Sequence, residues 1–219
     1  NKYASSIEPV SATRLVNYAN VNQDDQRKLN AYIKSLTQLK PTELTKSEQF
    51  AYWVNLYNAI TVQLILDNYP LKSITKLGGL FSFGPWDDEV VEISGEKITL
   101  NDIEHRILRP IWKDKRIHYA VNCASMGCPN LYGQPFSSVT YDDQLEQAAK
   151  AFINSNKGVD FSGGQLTLSE IYNWYSVDFG NEGELKTHLL QYLDEPSSKK
   201  LRSYSGDIDY QYNWNLNSQ

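Results

Sequence analysis

The stretch "TKSEQFAYWVNLYNAITVQLILDNYP", residues 45–70, constrains the fold more than any other part of the chain. Thr45 and Glu48 give a T-x-x-E capping signature at its start, and Pro70 stops it, so the spacing predicts one long helix. Apolar and aromatic residues fall on nearly every face of that helix. A helix that is apolar all round must be covered on all sides, which makes this the expected central element. Asn55 and Asn58 interrupt it. Asparagine is a poor helix-interior residue, and a buried amide needs hydrogen-bond partners. These two side chains are expected to tie down neighbouring loops, with contact to a ligand as the alternative.

The other elements are read around this helix. "SATRLVNYANV" and "DDQRKLNAYIKSLTQL" place apolar residues at helical spacing, and "KPTEL" breaks the pattern. "LGGLFSFGPW" (77–86) reads as an aromatic, glycine-rich loop over apolar surface, without the spacing of a phosphate cradle. "EVVEISGEKITL" predicts a hairpin turning at Ser94-Gly95, and "VDFSGGQLTLS" a second one at Gly163-Gly164. "NDIEHRILRPIW" predicts a short helix ended by Pro110, with Asn101 and Glu104 as a capping-box variant. "RIHYAV" alternates like a strand, and residues 122–132 form a loop at its end. "TYDDQLEQAAKAFINS" predicts a helix with Thr140 and Asp143 as its cap signal. "SEIYNWY" and "EGELKTHLLQYL" follow as helices, and "DIDYQYNWNLN" as a strand or extended arm. The expectation is an α+β single domain, mostly helical, with short antiparallel strands and hairpins.

Charge narrows the partners. The formal net charge of -5 leaves no basic footprint for nucleic acid or anionic lipid. No apolar run reaches the roughly 18–20 residues of a membrane span. The chain opens at Asn1 with neither Met nor an apolar signal segment, as expected of a processed or trimmed chain.

The chemistry-bearing residues concentrate in "RIHYAVNCASMGCPNLYG" (116–133), which holds both cysteines and His118. A thiol needs a nearby base or positive charge to ionise at neutral pH. The imidazoles on offer are His105, His118 and His188. His118 precedes Cys123 by five residues, and an extended strand rising about 3.3 Å per residue would separate them. A turn at Asn122 would be needed to bring them together. Three plainer readings stand beside this one. Cys123 can be a small buried apolar residue, Cys123 and Cys128 can be bridged, or the pair can belong to a metal site. The C-x4-C spacing lacks the paired C-x2-C pattern of structural zinc, so neither metal nor cofactor is expected. Glu104, when not engaged in capping, suits orienting an imidazole. His105 lies about 100° further round the same helix.

The ordered motifs "YWVNLYNAITV", "ITLNDIEHRILRP", "RIHYAVNCASMGCPNL", "LSEIYNWYSVDFG" and "YNWNLN" resemble the family catalogued as domain of unknown function 547, over roughly residues 40–216. The resemblance implies a division into an N-terminal helical segment (1–39) packed on a domain spanning 40–219. It carries the family's motif residues onto Trp53, Asn55, Asn58, Glu104, His105, Arg109, His118, Cys123, Trp174 and Asp178. A Cys, a His and a Glu among them imply a thiol hydrolase or acyl transferase, similar in logic to papain-like and transglutaminase-like enzymes. Here the histidine precedes the cysteine, the reverse of papain's order. In that reading Cys123 is the nucleophile, His118 its base and Glu104 the group that holds the imidazole, with His105 the rival base. Backbone N–H groups near Ala124 and Ser125, or the side chains of Asn122 and Asn58, would stabilise an oxyanion. Plant relatives that lack the second cysteine imply that Cys128 is the more expendable. The family's habit further implies an exported bacterial protein, periplasmic or secreted. The competing expectation is a module that binds peptide or glycan without catalysis, with Glu104, His118 and Cys123 as a buried polar network.

Overall fold

In the computed structural model, which describes residues 2–4, 13–79 and 83–219, the central segment is the expected helix. Helix α1 (Gln23–Thr37) packs on α2 (Lys46–Asp67), whose capping box has both arms: Thr45 accepts from the Glu48 N–H, and Glu48 accepts from the Thr45 N–H. Val54, Leu56 and Ile65 of α2 are fully inaccessible, and burying each such side chain contributes about 1.5–3 kcal/mol. Ile33 of α1, Ile103, Leu108 and Ile117 complete the core around it. No helix of the described residues is long and apolar enough to cross a membrane.

The hairpin formed by β1 (Glu89–Ile93) and β2 (Glu96–Thr99) turns where expected, with Ser94 at φ 53° and Gly95 at φ 87°. Such a turn needs positive φ at both central residues, which glycine adopts freely. A widened, π-type helical turn (Asp102–Leu108) follows and runs into the short helix α3 (Arg109–Trp112). Two expectations fail here. Pro110 does not end the helix. It sits in the first turn of α3, where its missing N–H costs little, while the Arg109 N–H reaches back five residues to the Glu104 carbonyl. The cap is built by Thr99 and Asp102, each donating its N–H to the other's side chain, and not by Asn101 and Glu104. Asn101 instead donates to Asp87. Glu104 is therefore free of capping duty.

"RIHYAV" is not a strand either. Residues Lys115–Tyr119 form a 3₁₀ turn capped by Asp114, and Ile117 through Val121 are all buried. The alternation marked a segment covered on both sides, so no polar face was available to sit on a sheet. Helix α4 (Tyr141–Ile153) starts at Thr140 as expected, but Asp143 does not cap it. The Thr140 hydroxyl donates to Gln144 and Ser137.

The second sheet is mixed. β3 (Val159–Asp160) and β4 (Leu166–Ser169) form the expected hairpin, and β4 pairs in parallel with β5 (Ile208–Gln211). Between β4 and β5 come α5 (Glu170–Trp174), α6 (Ser176–Phe179), α7 (Glu182–Tyr192) and α8 (Glu195–Ser203). The sequence reading missed α8, although Asp194 at its cap and Pro196 in its first turn were visible signals. "SATRLVNYANV" is helical only as a 3₁₀ turn at Tyr18–Asn20, and Ser11 and Ala12 lie outside the described residues. Val16 bridges instead to Ala4 and Ser218. These long-range backbone bonds displace the local helical pattern.

A C-terminal arm laces the cysteine loop into place. Met126 N–H donates to the Asn215 carbonyl, Gly127 N–H to Asn213, and Asn217 N–H to Ala124. At Gly127 any Cβ would come within 2.8 Å of the Asn213 nitrogen, so the close approach requires glycine. From the other side, the Asn58 carboxamide donates to the Ala120 carbonyl (2.9 Å) and accepts from the Asn122 N–H (2.8 Å). Asn55 does the same for the Phe136 carbonyl and N–H, both at 2.8 Å. Both α2 amides clamp loops. Replacing Asn58 by Leu leaves two buried backbone groups unpaired at roughly 1–3 kcal/mol each. The Asn58→Leu variant is expected to lose about 2–5 kcal/mol of stability in urea unfolding, well beyond a surface Asn30→Leu control.

Candidate functional site

The chain does turn between His118 and Cys123, but the turn makes no hydrogen bond between the imidazole and the thiol. After the 3₁₀ turn, the Asn58 clamp fixes Ala120 and Asn122, and Ala124 follows in left-handed backbone (φ 55°) while fully buried. A non-glycine residue held there is strained, and such strain collects at functional sites. The chain therefore folds back directly after Cys123. His118, Glu104 and Cys123 line one cavity of about 540 Å³, together with Cys128, Tyr175 and Tyr212. Its rim is aromatic: Phe83, Trp86, Trp174 and Trp214 form a contiguous patch with ring centroids 5.1–6.3 Å apart. Phe83 and Trp174 are 64% and 46% exposed, so part of this aromatic patch faces solvent.

His118 is 3% exposed and sits between two carboxylates. Its Nε2 lies 2.7 Å from Asp178 Oδ2 and its Nδ1 3.6 Å from Glu104 Oε1, and its ring stacks on Tyr175 at 4.0 Å. Burial works against the charged imidazole, but Asp178 and then Glu104 outweigh it and raise its pKa. The same contacts act in reverse on the partners. His118, followed by Arg109, holds Asp178 well below the usual carboxylate range. Burial pushes Glu104 up, yet His118, His105 and the Tyr175 hydroxyl bring it below its ordinary value. Arg109 Nε donates to the same Asp178 oxygen at 2.6 Å, and its Nη1 donates to His105 Nδ1 at 3.0 Å. Desolvation lowers the His105 pKa; Glu104 opposes this and Arg109 adds to it.

The thiol has a different circle of partners. Cys123 Sγ is half-buried and lies 2.8 Å from Cys128 Sγ, 3.0 Å from the Tyr212 hydroxyl and 3.2 Å from Ser125 Oγ. Burial alone would raise this thiol, but its hydrogen bonds with Cys128, Ser125 and Tyr212 outweigh it and bring the pKa down to about 7. Cys128, buried beside it, is pushed upward by desolvation and by Cys123. Lys157 donates to the Cys128 carbonyl (2.6 Å) and to Asn130 Oδ1 (2.8 Å), and desolvation lowers it to about 8. The two cysteines act on it in the opposite direction and raise it.

Some expected roles are rearranged. Among the described residues the hydrogen bonds of Cys123 Sγ run to Cys128, Ser125 and Tyr212, and His118 presents both ring nitrogens to carboxylates. The Ala124 N–H, an expected oxyanion donor, is taken by the Asn122 side chain at 2.9 Å. Asn122 also donates to the Pro129 carbonyl, so it and Asn58 serve the loop. His105 and Arg109 open with Asp178 onto a separate cavity. His188 bonds the Tyr119 hydroxyl at 2.9 Å. Trp53 packs edge-on against Tyr52 within the core. Sequence reasoning missed Tyr175, Tyr212 and Lys157. Tyr212 opens the "YNWNLN" motif and Tyr175 lies within "LSEIYNWYSVDFG", but neither spacing signals proximity to a thiol.

If the two carboxylates hold His118 charged, its stabilising contribution is complete below its unfolded value of about 6.5 and fades as pH rises through the raised folded value. Asp178→Asn is expected to lower the His118 pKa measured by NMR titration and to narrow the pH range of maximal stability. An unchanged titration would show that Asp178 does not hold the imidazolium.

The sequence model of the family described as "Protein of unknown function, DUF547" matches residues 41–153, just over half of the chain. The matched region contains α2, the Glu104 turn, His118 and both cysteines. No curated protein matches the chain, and no solved structure does.

Proposed function

This chain belongs to the DUF547 family, and from the geometry of its cavity we propose that it is a thiol-dependent acyl hydrolase or transferase with Cys123 as nucleophile. The observation that carries the reading is a half-buried, hydrogen-bonded thiol lining the same cavity as a carboxylate-held imidazole. The thiolate of Cys123 attacks the carbonyl carbon of an amide, isopeptide or thioester. The C–X bond breaks, and the leaving group X takes a proton from Nδ1 of the His118 imidazolium, which at 3.6 Å from Glu104 is the less tightly held of its two nitrogens, leaving an acyl-thioester on Cys123. Water or a second nucleophile then releases the acyl group and returns the proton to His118. Glu104 and Asp178 fix the ring and stabilise its charge.

The oxyanion has one side-chain donor in this reading. Tyr212 lines the cavity, and burial raises its pKa, so it remains an O–H donor at neutral pH. Tyr212 also supports the thiolate itself.

Alkylation of the native protein by iodoacetamide tests the nucleophile. Cys123 is expected to react with a midpoint near pH 7, and Tyr212→Phe to move that midpoint upward by about one unit. Cys123→Ser is expected to abolish turnover of model thioesters while leaving the unfolding midpoint nearly unchanged. A thiol that stays inert until the protein unfolds would defeat the proposal.

The exposed rim of Phe83 and Trp174 also favours a second reading, a site that grips peptide or glycan without chemistry. Under that reading Cys123→Ser binds as well as the parent chain, and no thioester turnover is measured with either.

A further inference from the structure

The two cysteines differ in role as well as exposure. Cys123 is half-buried on the cavity wall, and Cys128 is buried directly behind it, its sulfur 2.8 Å away. That separation is inside ordinary sulfur–sulfur contact. The Cys123 N–H also points at Cys128 Sγ (2.8 Å), and the Cys128 N–H closes a turn onto the Ser125 carbonyl. The intervening Met126 and Gly127 are pinned by backbone bonds to Asn215 and Asn213. The loop therefore holds the two sulfurs against each other without needing to move. Both cysteines line the cavity, so a reagent that reaches Cys123 meets Cys128 one step later.

We propose that Cys123 and Cys128 form a reversible thiol–disulfide couple in which Cys123 is the attacking and Cys128 the resolving cysteine, taking small disulfides as the oxidising substrate. The Cys123 thiolate attacks one sulfur of the disulfide R–S–S–R, forming a mixed disulfide and expelling RS⁻, which takes up a proton from solvent. Cys128 then attacks the Cys123 sulfur, loses its own proton and expels the second RS⁻, which receives that proton. Two protein thiols are oxidised to one disulfide, and one R–S–S–R is reduced to two RSH. The asymmetry of the pair fits these roles: the accessible sulfur carries the hydrogen-bond donors that favour its thiolate, and the buried one is kept protonated until the mixed disulfide forms. The oxidised pair has no free nucleophile, so the same reaction switches off acyl transfer at Cys123. The couple rests on a reactive Cys123 and not on the acyl chemistry itself.

Oxidised glutathione added to the full native chain, with acid quenching and mass spectrometry of intact protein and peptides, tests this. The parent chain is expected to lose two hydrogens, show a Cys123–Cys128 disulfide without a lasting glutathione adduct, and regain alkylation at Cys123 after dithiothreitol. Cys128→Ser and Cys128→Ala are each expected to accumulate one glutathione on Cys123, persisting at least about ten-fold longer than in the parent. A parent chain that holds the adduct as long as the variants do overturns the proposal. So does a parent chain whose Cys123 alkylates readily but never loses the two hydrogens, a result that leaves the acyl-transfer reading intact. Cys123 inert to both reagents defeats both readings.

Discussion

The Asn58 carboxamide is the interaction on which the site depends. It sits inside the most buried helix of the chain and spends one donor and its acceptor on the backbone of residues 120 and 122. Those two bonds hold the path between His118 and Cys123 in a turn rather than an extended strand. An unpaired amide at this depth would be costly, so the helix and the loop specify each other. Asn55 repeats the device further along the same loop, on Phe136. The C-terminal arm then closes the opposite side, with backbone bonds to Ala124, Met126 and Gly127. The cysteine loop is thus irregular in conformation and still fully tied down.

Two electrostatic systems meet across the cavity. In one, Glu104, His118, Asp178 and Arg109 alternate in sign and compensate one another, Glu104 and His118 lining this cavity while Asp178 and Arg109 line a separate one. In the other, the Cys123 sulfur is held by hydrogen bonds to neutral groups, with Lys157 bonded to the Cys128 carbonyl of the same loop. Separating the thiol from the imidazole in this way allows each to hold its charge by its own partners. It also differs from a directly hydrogen-bonded thiol–imidazole pair, in which the ring itself sets the thiol's ionisation. The widened turn at Asp102–Leu108 matters here as well. It releases Glu104 from capping, carries the chain past Pro110 and leaves the carboxylate buried opposite His118.

Much of this was legible in the chain itself. The T-x-x-E box, the apolar length of α2, both glycine-bearing hairpin turns and α4 follow from rules that act over a few residues. The same local rules misled at "RIHYAV", where alternation described burial on both sides, and at "NDIE", where the capping pair lies two residues earlier than read. They also misled at "SATRLVNYANV", whose backbone is claimed by the chain's far end.

The sequence by itself determined which side chains were available for chemistry: a cysteine followed by a second, a histidine five residues before the first, and a glutamate on the preceding helix. Tertiary structure alone decided what each of these faces. His118 meets Asp178 across 60 positions, and Cys123 meets Tyr212 across 89. Local propensity sets backbone conformation within a turn or two. The ionisation of a buried group depends on whichever dipoles and charges the whole chain brings within a few ångströms, and spacing in sequence carries no record of that.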